Sequence, residues 1–285
     1  MNQFILNADD FGMSEAFNDA VLEGFKIGLL KSTSLTANGV AFDDAISRII
    51  PQAKNLSVGV HLNIIEGTAL SNGLNLLCDN HNEFNNSYIS LILKSYGTKR
   101  KEFLNQIEQE FRTQIEKILN VYPDISHIDS HVHTHAIPPI FKLVCKLAKE
   151  YKIPFVRTQG ERPYIVPNWK MTVNKDFAIN ILKNILLNTF TFINKPVVKK
   201  HNLKTNDYQI GVLYTLMMSD KSLYYGLKSL KKKNNKLVES LIHPCLYADK
   251  KRDNHSVEFE ITQDKELIEK IKNMGFVITD FKSVE

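Results

Sequence analysis

Short apolar runs that break off at polar residues alternate along this chain with longer stretches of helical spacing. "QFILNADDFG" opens the series: an apolar run ends at Asp9 and Asp10, and Gly12 closes it. A run apolar on successive positions is that of a strand buried on both faces. Residues 14–27 then place Phe17, Val21, Leu22 and Phe25 on one helical face, with Ser14 as N-cap and Gly28 as terminator. "STSLTANG" predicts a second strand, residues 42–50 a helix, and "LSVGVHLNI" a third strand carrying His61 near its end. "EFLNQIEQEFRTQIEKIL" is amphipathic at spacings of three and four. "ISHIDSH" predicts a fourth strand, "PPIFKLVCKLAKEY" a proline-opened helix, and "IPFVRT" a fifth strand ending at Arg157.

The pattern then blurs. Helices are expected at residues 176–191 and 222–231, "LVESLIHP" as a strand delivering His243, "DKELIEKIKNMG" as a helix and "FVITDF" as a last strand. Alternating strands and helices predict an α/β fold built on a largely parallel sheet, open or closed into a barrel. Residues 71–97 and 160–235 read as excursions from a single domain spanning 1–285.

The phase of the polar residues narrows the function. Asp9, Asp10, His61, Asp129, His131, Arg157 and His243 all fall at or just after the C-terminal ends of expected strands. In barrels and open α/β sheets, ligands and catalytic groups gather at that edge. "HIDSHVHTH" places four of the nine histidines within residues 127–135. Two histidines and a carboxylate hold a metal while leaving positions open for water and substrate. Asp10, His61 and one histidine of the cluster would form such a set from three strands. If extension continued past residue 131, His131, His133 and His135 would share a face.

Composition changes this picture little. The chain has 285 residues, is 43% hydrophobic and carries a net charge of +5. Lysines near 231–236 read as a solvated surface, and no nucleic-acid motif accompanies them. Three scattered cysteines argue against a disulfide framework, and no signal peptide or membrane-length apolar run stands out. The expectation is a soluble cytoplasmic protein without membrane or nucleic-acid partners; a homodimer is possible.

"NADDFGMSEAFNDAVLEGFKIGLLKSTSLTANG", "VGVHLN", "HIDSHVHTHAIPPIF", "PFVRTQGE" and "ESLIHPCLYAD", in this order, resemble the YdjC-type carbohydrate deacetylases. These include chitooligosaccharide deacetylase and are distant relatives of the NodB-type polysaccharide deacetylases. The resemblance runs from residue 5 to about 283 and is weakest at 71–100 and 165–200. It implies an irregular (β/α) TIM-like barrel with its site at the C-terminal mouth. It also implies one divalent ion, magnesium or zinc, on Asp10, His61 and His131. Asp9 becomes the general base, Arg157 its orienting partner and His243 the general acid. His133 and His135 match histidines near the site, assigned here to substrate. The implied reaction removes the N-acetyl group of an amino sugar or short oligosaccharide. One departure is visible: Cys245 stands where the family has glycine after His-Pro. It would be a small buried residue or a reactive thiol. A metal-dependent hydrolase of another amide or a phosphoester, with Asp129 serving a second metal, is the near rival. A glycosidase is disfavoured because adjacent Asp9 and Asp10 should point apart on a strand. A carbohydrate-binding protein without turnover would have no need of Asp9 and His243.

Overall fold

The computed structural model describes residues 1–172, 175–250 and 252–284. Its centre is β1 (Asn2–Phe11), whose Phe4, Ile5 and Leu6 are fully buried. Such burial on both faces is what its unbroken apolar run requires. α1 (Glu15–Ile27) follows, with the Ser14 hydroxyl accepting from Phe17 N and Gly28 closing the last turn at φ 95°. Then come β2 (Leu30–Leu35), a short helix α2 (Phe42–Asp44) continued by irregular helical turns to Gln52, and β3 (Ser57–Leu62). The excursion expected at 71–97 holds a helix, α3 (Tyr88–Tyr96), capped by Ser87. α4 (Arg100–Leu119), β4 (His127–Ser130), α5 (Pro138–Glu150) and β5 (Phe155–Val156) succeed it.

The blurred region resolves into α6 (Trp169–Thr172), the long α7 (Lys175–Lys200), β6 (Tyr208–Ile210) and α8 (Asp220–Leu230). β7 (Leu237–Ile242), α9 (Asn254–Gln263), α10 (Lys265–Asn273) and β8 (Phe276–Ile278) complete the chain. No described helix is long and apolar enough to cross a membrane.

Every ladder is parallel, in the order β5-β4-β3-β2-β1-β7-β6, with β8 pairing only the first residues of β1. The α/β barrel-like expectation therefore holds as a curled parallel sheet, but the barrel is not closed. β5 and β6, two and three residues long, end the order at either edge and form no ladder with each other. Scattered backbone bonds span the gap instead: Lys204 N to Pro154 O at 2.8 Å, Val156 N to Lys204 O at 3.0 Å and Gln209 N to Gly160 O at 2.8 Å. Close contact between β3 and β4 depends on Gly59, where a Cβ would lie 2.4 Å from the His127 ring. His127 itself is packed face to face with Phe281 at 3.8 Å between ring centroids.

Candidate active site

β1 bends where its chemistry begins. Ala8 pairs with Thr33 and Phe11 with Leu35, so β1 uses three steps where β2 uses two. The extra residue is a bulge at Asp9 and Asp10, and Asp10 takes a left-handed φ of 64°. Strand alternation is broken, and both carboxylates line one cleft. The expectation that they point apart is thus corrected.

Across the cleft, the histidine cluster does not continue as a strand. After β4 the chain folds into a tight helical turn, His131–Ala136, kinked at Val132 (φ 52°) and His133 (φ 57°). The shared face expected for His131, His133 and His135 does not form. His131 and His133 line the cleft, whereas His135 lies fully buried outside its lining. Its Nδ1 meets Ser130 Oγ at 2.5 Å, and its Nε2 lies 3.1 Å from Arg157 O and 2.8 Å from Gln159 Nε2. His135 thereby ties the turn to the segment after β5.

Strain concentrates at this site. Nine described non-glycine residues have left-handed φ; Asp10, Val132, His133 and Leu216 line the cleft, and the other five are asparagine or lysine. Asparagine tolerates that region, but valine and leucine do not, at about 1 kcal/mol or more each.

Asp10, His61 and His131 converge as a group able to hold a cation. Asp10 Oδ1 lies 2.8 Å from His131 Nδ1 and 3.2 Å from His61 Nε2. The His61 Nδ1 is hydrogen-bonded to Asp129 Oδ1 at 2.7 Å, while its buried Nε2 has no hydrogen bond of acceptable geometry. A carboxylate on one ring nitrogen fixes the tautomer and frees the other nitrogen for a metal. A second group, Asp9, His61 and Asp129, shares His61. Its carboxylates are already committed: Arg157 grips Asp9 through two 2.7 Å bonds and reaches Asp129 Oδ2 at 2.6 Å.

The charge balance points the same way. Asp9, Asp10, Asp129 and Glu239 are all buried, and Arg157, itself fully buried, pairs with three of them, Asp9, Asp129 and Glu239. Burial works against charge on His61, yet Asp129 and Asp10 raise it to about 10. Metal ligation requires the His61 and His131 rings to be neutral; the ionised Asp9, Asp10 and Asp129 then outnumber Arg157, and a divalent cation beside Asp10 would offset the excess. The donor set and the orphaned His61 Nε2 fit such an ion. Two imidazoles and one carboxylate suit zinc better than magnesium, which prefers oxygen ligands.

Arg157 also holds Glu239 from within β7, Nε to Oε1 at 2.5 Å. Burial raises Glu239 to about 8 despite that partner. Asp9 is pushed up by burial but brought below the usual carboxylate range by Arg157. It also accepts from Asn7 Nδ2 at 2.8 Å. His243, just after β7, faces the same cleft, with Glu258 of α9 bonded to its backbone N and 3.3 Å from its Nδ1. Burial lowers His243, but Glu258 outweighs it and holds the imidazole at about 9. His133 is the opposite case: burial and Arg157 depress it to about 3, leaving a neutral ring whose buried Nδ1 has no partner.

The sequence reading missed Glu66, Tyr88, Glu239 and Glu258. Glu66 Oε2 stands 3.4 Å from His131 Nε2, and Tyr88 presents a buried, unpartnered hydroxyl in the cleft lining. A glutamate inside the apolar run "LVESLI" was the readable signal for Glu239. Cys245 is buried, its thiol is pushed up to about 12 by burial, and its backbone avoids the left-handed region. That fits a packing residue rather than a reactive thiol.

A bulged pair of aspartates, facing histidines and a buried arginine at the C-terminal rim of a curled parallel sheet define a hydrolase-like α/β architecture. Residues 3–273 match the family described as YdjC-like protein, and the chain belongs to that family. A carbohydrate deacetylase of Clostridium beijerinckii is 32% identical over 85% of this chain and 95% of its own length. A carbohydrate deacetylase of Oceanobacillus iheyensis is 34% identical over 70% of this chain and 88% of its own. The match to a carbohydrate deacetylase of Listeria monocytogenes, 38% identical, covers 54% of this chain and 60% of that protein. Among solved structures, a candidate cellobiose-phosphate cleavage protein of Enterococcus faecalis V583 superposes with a TM-score of 0.75. It covers 99% of both chains at 20% identity, a likeness of fold.

Proposed function

We propose that this protein is a metal-dependent hydrolase that removes the N-acetyl group from an amino sugar or short chitooligosaccharide, giving acetate and a free amine. The observation that carries this reading is the convergence of Asp10, His61 and His131, with the His61 Nε2 making no hydrogen bond and an ionised Asp9 lining the same cleft. The relatives described as carbohydrate deacetylases support the substrate class.

In this reading Asp10, His61 and His131 would hold one divalent ion, which would supply Lewis acidity at the acetyl carbonyl. Asp9 accepts the proton of that water as its oxygen bonds to the acetyl carbon. Arg157 keeps Asp9 ionised and fixes its orientation through two hydrogen bonds. His243, as an imidazolium, gives its proton to the amide nitrogen as the C–N bond breaks, because an amide nitrogen leaves poorly unless protonated. Glu258 stabilises that imidazolium.

The test is acetate release from diacetylchitobiose by chelated protein and by the same protein after zinc or magnesium is restored. The account expects release only after restoration; release undiminished by a strong chelator would remove the metal from the mechanism.

The acid role also sets a pH limb. An acid held at about 9 is protonated below that value and lost above it, so kcat/KM should fall as pH rises through about 9. In Glu258→Gln the largest raising influence is gone, with Asp9 and Asp10 left, and the limb should move down toward the ordinary imidazole range. A pH–rate profile of both proteins checks this, and an unmoved limb would assign the acid to another group.

A further inference from the structure

The cleft above the site is lined by chemistry unlike that of its floor. Its volume is about 540 Å³, within the range of small-molecule sites. Asp9, Asp10, His131, His133 and His243 form the reacting end. Beyond them the walls are mainly aliphatic: Ile89 from α3, Val132 from the kinked turn, Ile179, Leu182 and Leu186 from α7, and Leu216 after β6. Lys183, Thr215, His255 and the hydroxyl of Tyr88 are the polar groups of that lining.

These side chains are also exposed to an unusual degree, Ile89 and Leu182 at 69% each and Val132 and Leu216 at 50% each. Soluble proteins rarely leave a contiguous apolar collar open to water unless it binds something. The strained, left-handed backbones of Val132 and Leu216 hold two of these side chains in the collar. Further sugar rings are a poor match for this wall. A few of their hydroxyls could reach Tyr88, Lys183, Thr215 or His255, and the rest would be buried against aliphatic groups at a cost in binding. A chain of methylenes carries no such cost and gains from leaving water.

We infer that the substrate is an N-acetylated amino sugar bearing an apolar aglycone, with the acetamido group at the Asp10–His61–His131 floor and the aglycone against the Ile89–Leu182–Leu216 collar. This rests on the deacetylase reading of the same site and narrows it. The occupant is the aglycone rather than a second copy of this chain, because the collar is continuous with the reacting groups in one concave cleft. A partner subunit seated there would block access to Asp9 and His243.

The experiment compares methyl and hexyl β-glycosides of N-acetylglucosamine, below any micelle concentration, as substrates of metal-loaded protein. Wild type should favour the hexyl glycoside by about tenfold or more in kcat/KM. The double variant Ile89→Ser/Leu182→Ser should bring that preference ratio toward one; both positions are on exposed helix surfaces, so folding is not at stake. Equal turnover of the two glycosides by wild type would overturn the collar and leave deacetylation standing. If neither is turned over, calorimetric binding decides separately. Tighter hexyl binding that the double variant loses supports the collar, and equal binding overturns it. Light scattering on both proteins covers the remaining outcome. A dimer that the double variant dissociates, without any hexyl preference, would make the collar a subunit interface and overturn the inference.

Discussion

Asp9→Asn is expected to lower acetate release by about 10²–10⁴-fold while leaving metal binding intact, the range spanned by loss of a general base. The asparagine keeps the shape and one acceptor oxygen but has no lone pair basic enough to take a proton from water. Arg157 does not become an orphan in this variant, because Asp129 Oδ2 and Glu239 Oε1 still hold it at 2.6 and 2.5 Å. The protein should therefore still fold, with some loss of stability because the new amide NH2 faces an N–H donor where Asp9 offered an oxygen, and the ion-holding set of Asp10, His61 and His131 contains no altered atom. Acetate release measured beside a metal titration separates the two roles. Loss of metal binding together with activity would make Asp9 a ligand; near-normal turnover would move the base elsewhere.

Arg157→Met is expected to act on the fold itself. Arg157 is fully buried and neutralises Asp9 and Asp129, which lie within 3 Å of it and are themselves buried. Breaking a buried ion pair by removing one partner costs about 3–5 kcal/mol, because the remaining charge is left without compensation. For a domain of this size that is roughly 5–8 °C in thermal midpoint. The pH dependence has a definite sign. In wild type Asp9 and Asp129 titrate below their unfolded values, so their pairing stabilises above that range and is lost as pH falls through the folded values. The gap between wild type and variant should therefore be widest near neutrality and narrow in acid. Thermal melts of both proteins across pH would show this, and a constant gap would point to lost packing rather than unpaired charge.

Much of this arrangement was legible because it follows local rules. The apolar run of β1, the capped α1, the amphipathic α4 and α10 and the proline-opened α5 carry their periodicity in the sequence. The placement of Asp9, Asp10, His61, His131, Arg157 and His243 at strand ends follows from those same boundaries. The open edge of the barrel was not legible, since it depends on how β5 and β6 sit across the sheet, and β6 is three residues long. Segments that short have no periodicity to read. The kink after β4 was hidden for a different reason: a β-branched valine in a left-handed conformation runs against local preference, so tertiary packing must impose it. The bulge at Asp9 and Asp10 is likewise a property of the β1–β2 pairing and not of β1 alone. Tyr88 was lost inside an Asn- and Ser-rich stretch whose helix is only nine residues long. Glu258 sits on α9, whose start is marked by a reciprocal Asp253–Ser256 cap rather than by an apolar stripe.

The central claim is that Asp10, His61 and His131 hold one divalent ion that acetate release requires. Titrating metal into chelated protein, with acetate release from diacetylchitobiose read on each sample, tests it most directly. The account predicts activity that rises from background and saturates at one equivalent per chain, with no response in His131→Ala. Activity that survives chelation, or that appears only with a second equivalent, would contradict it.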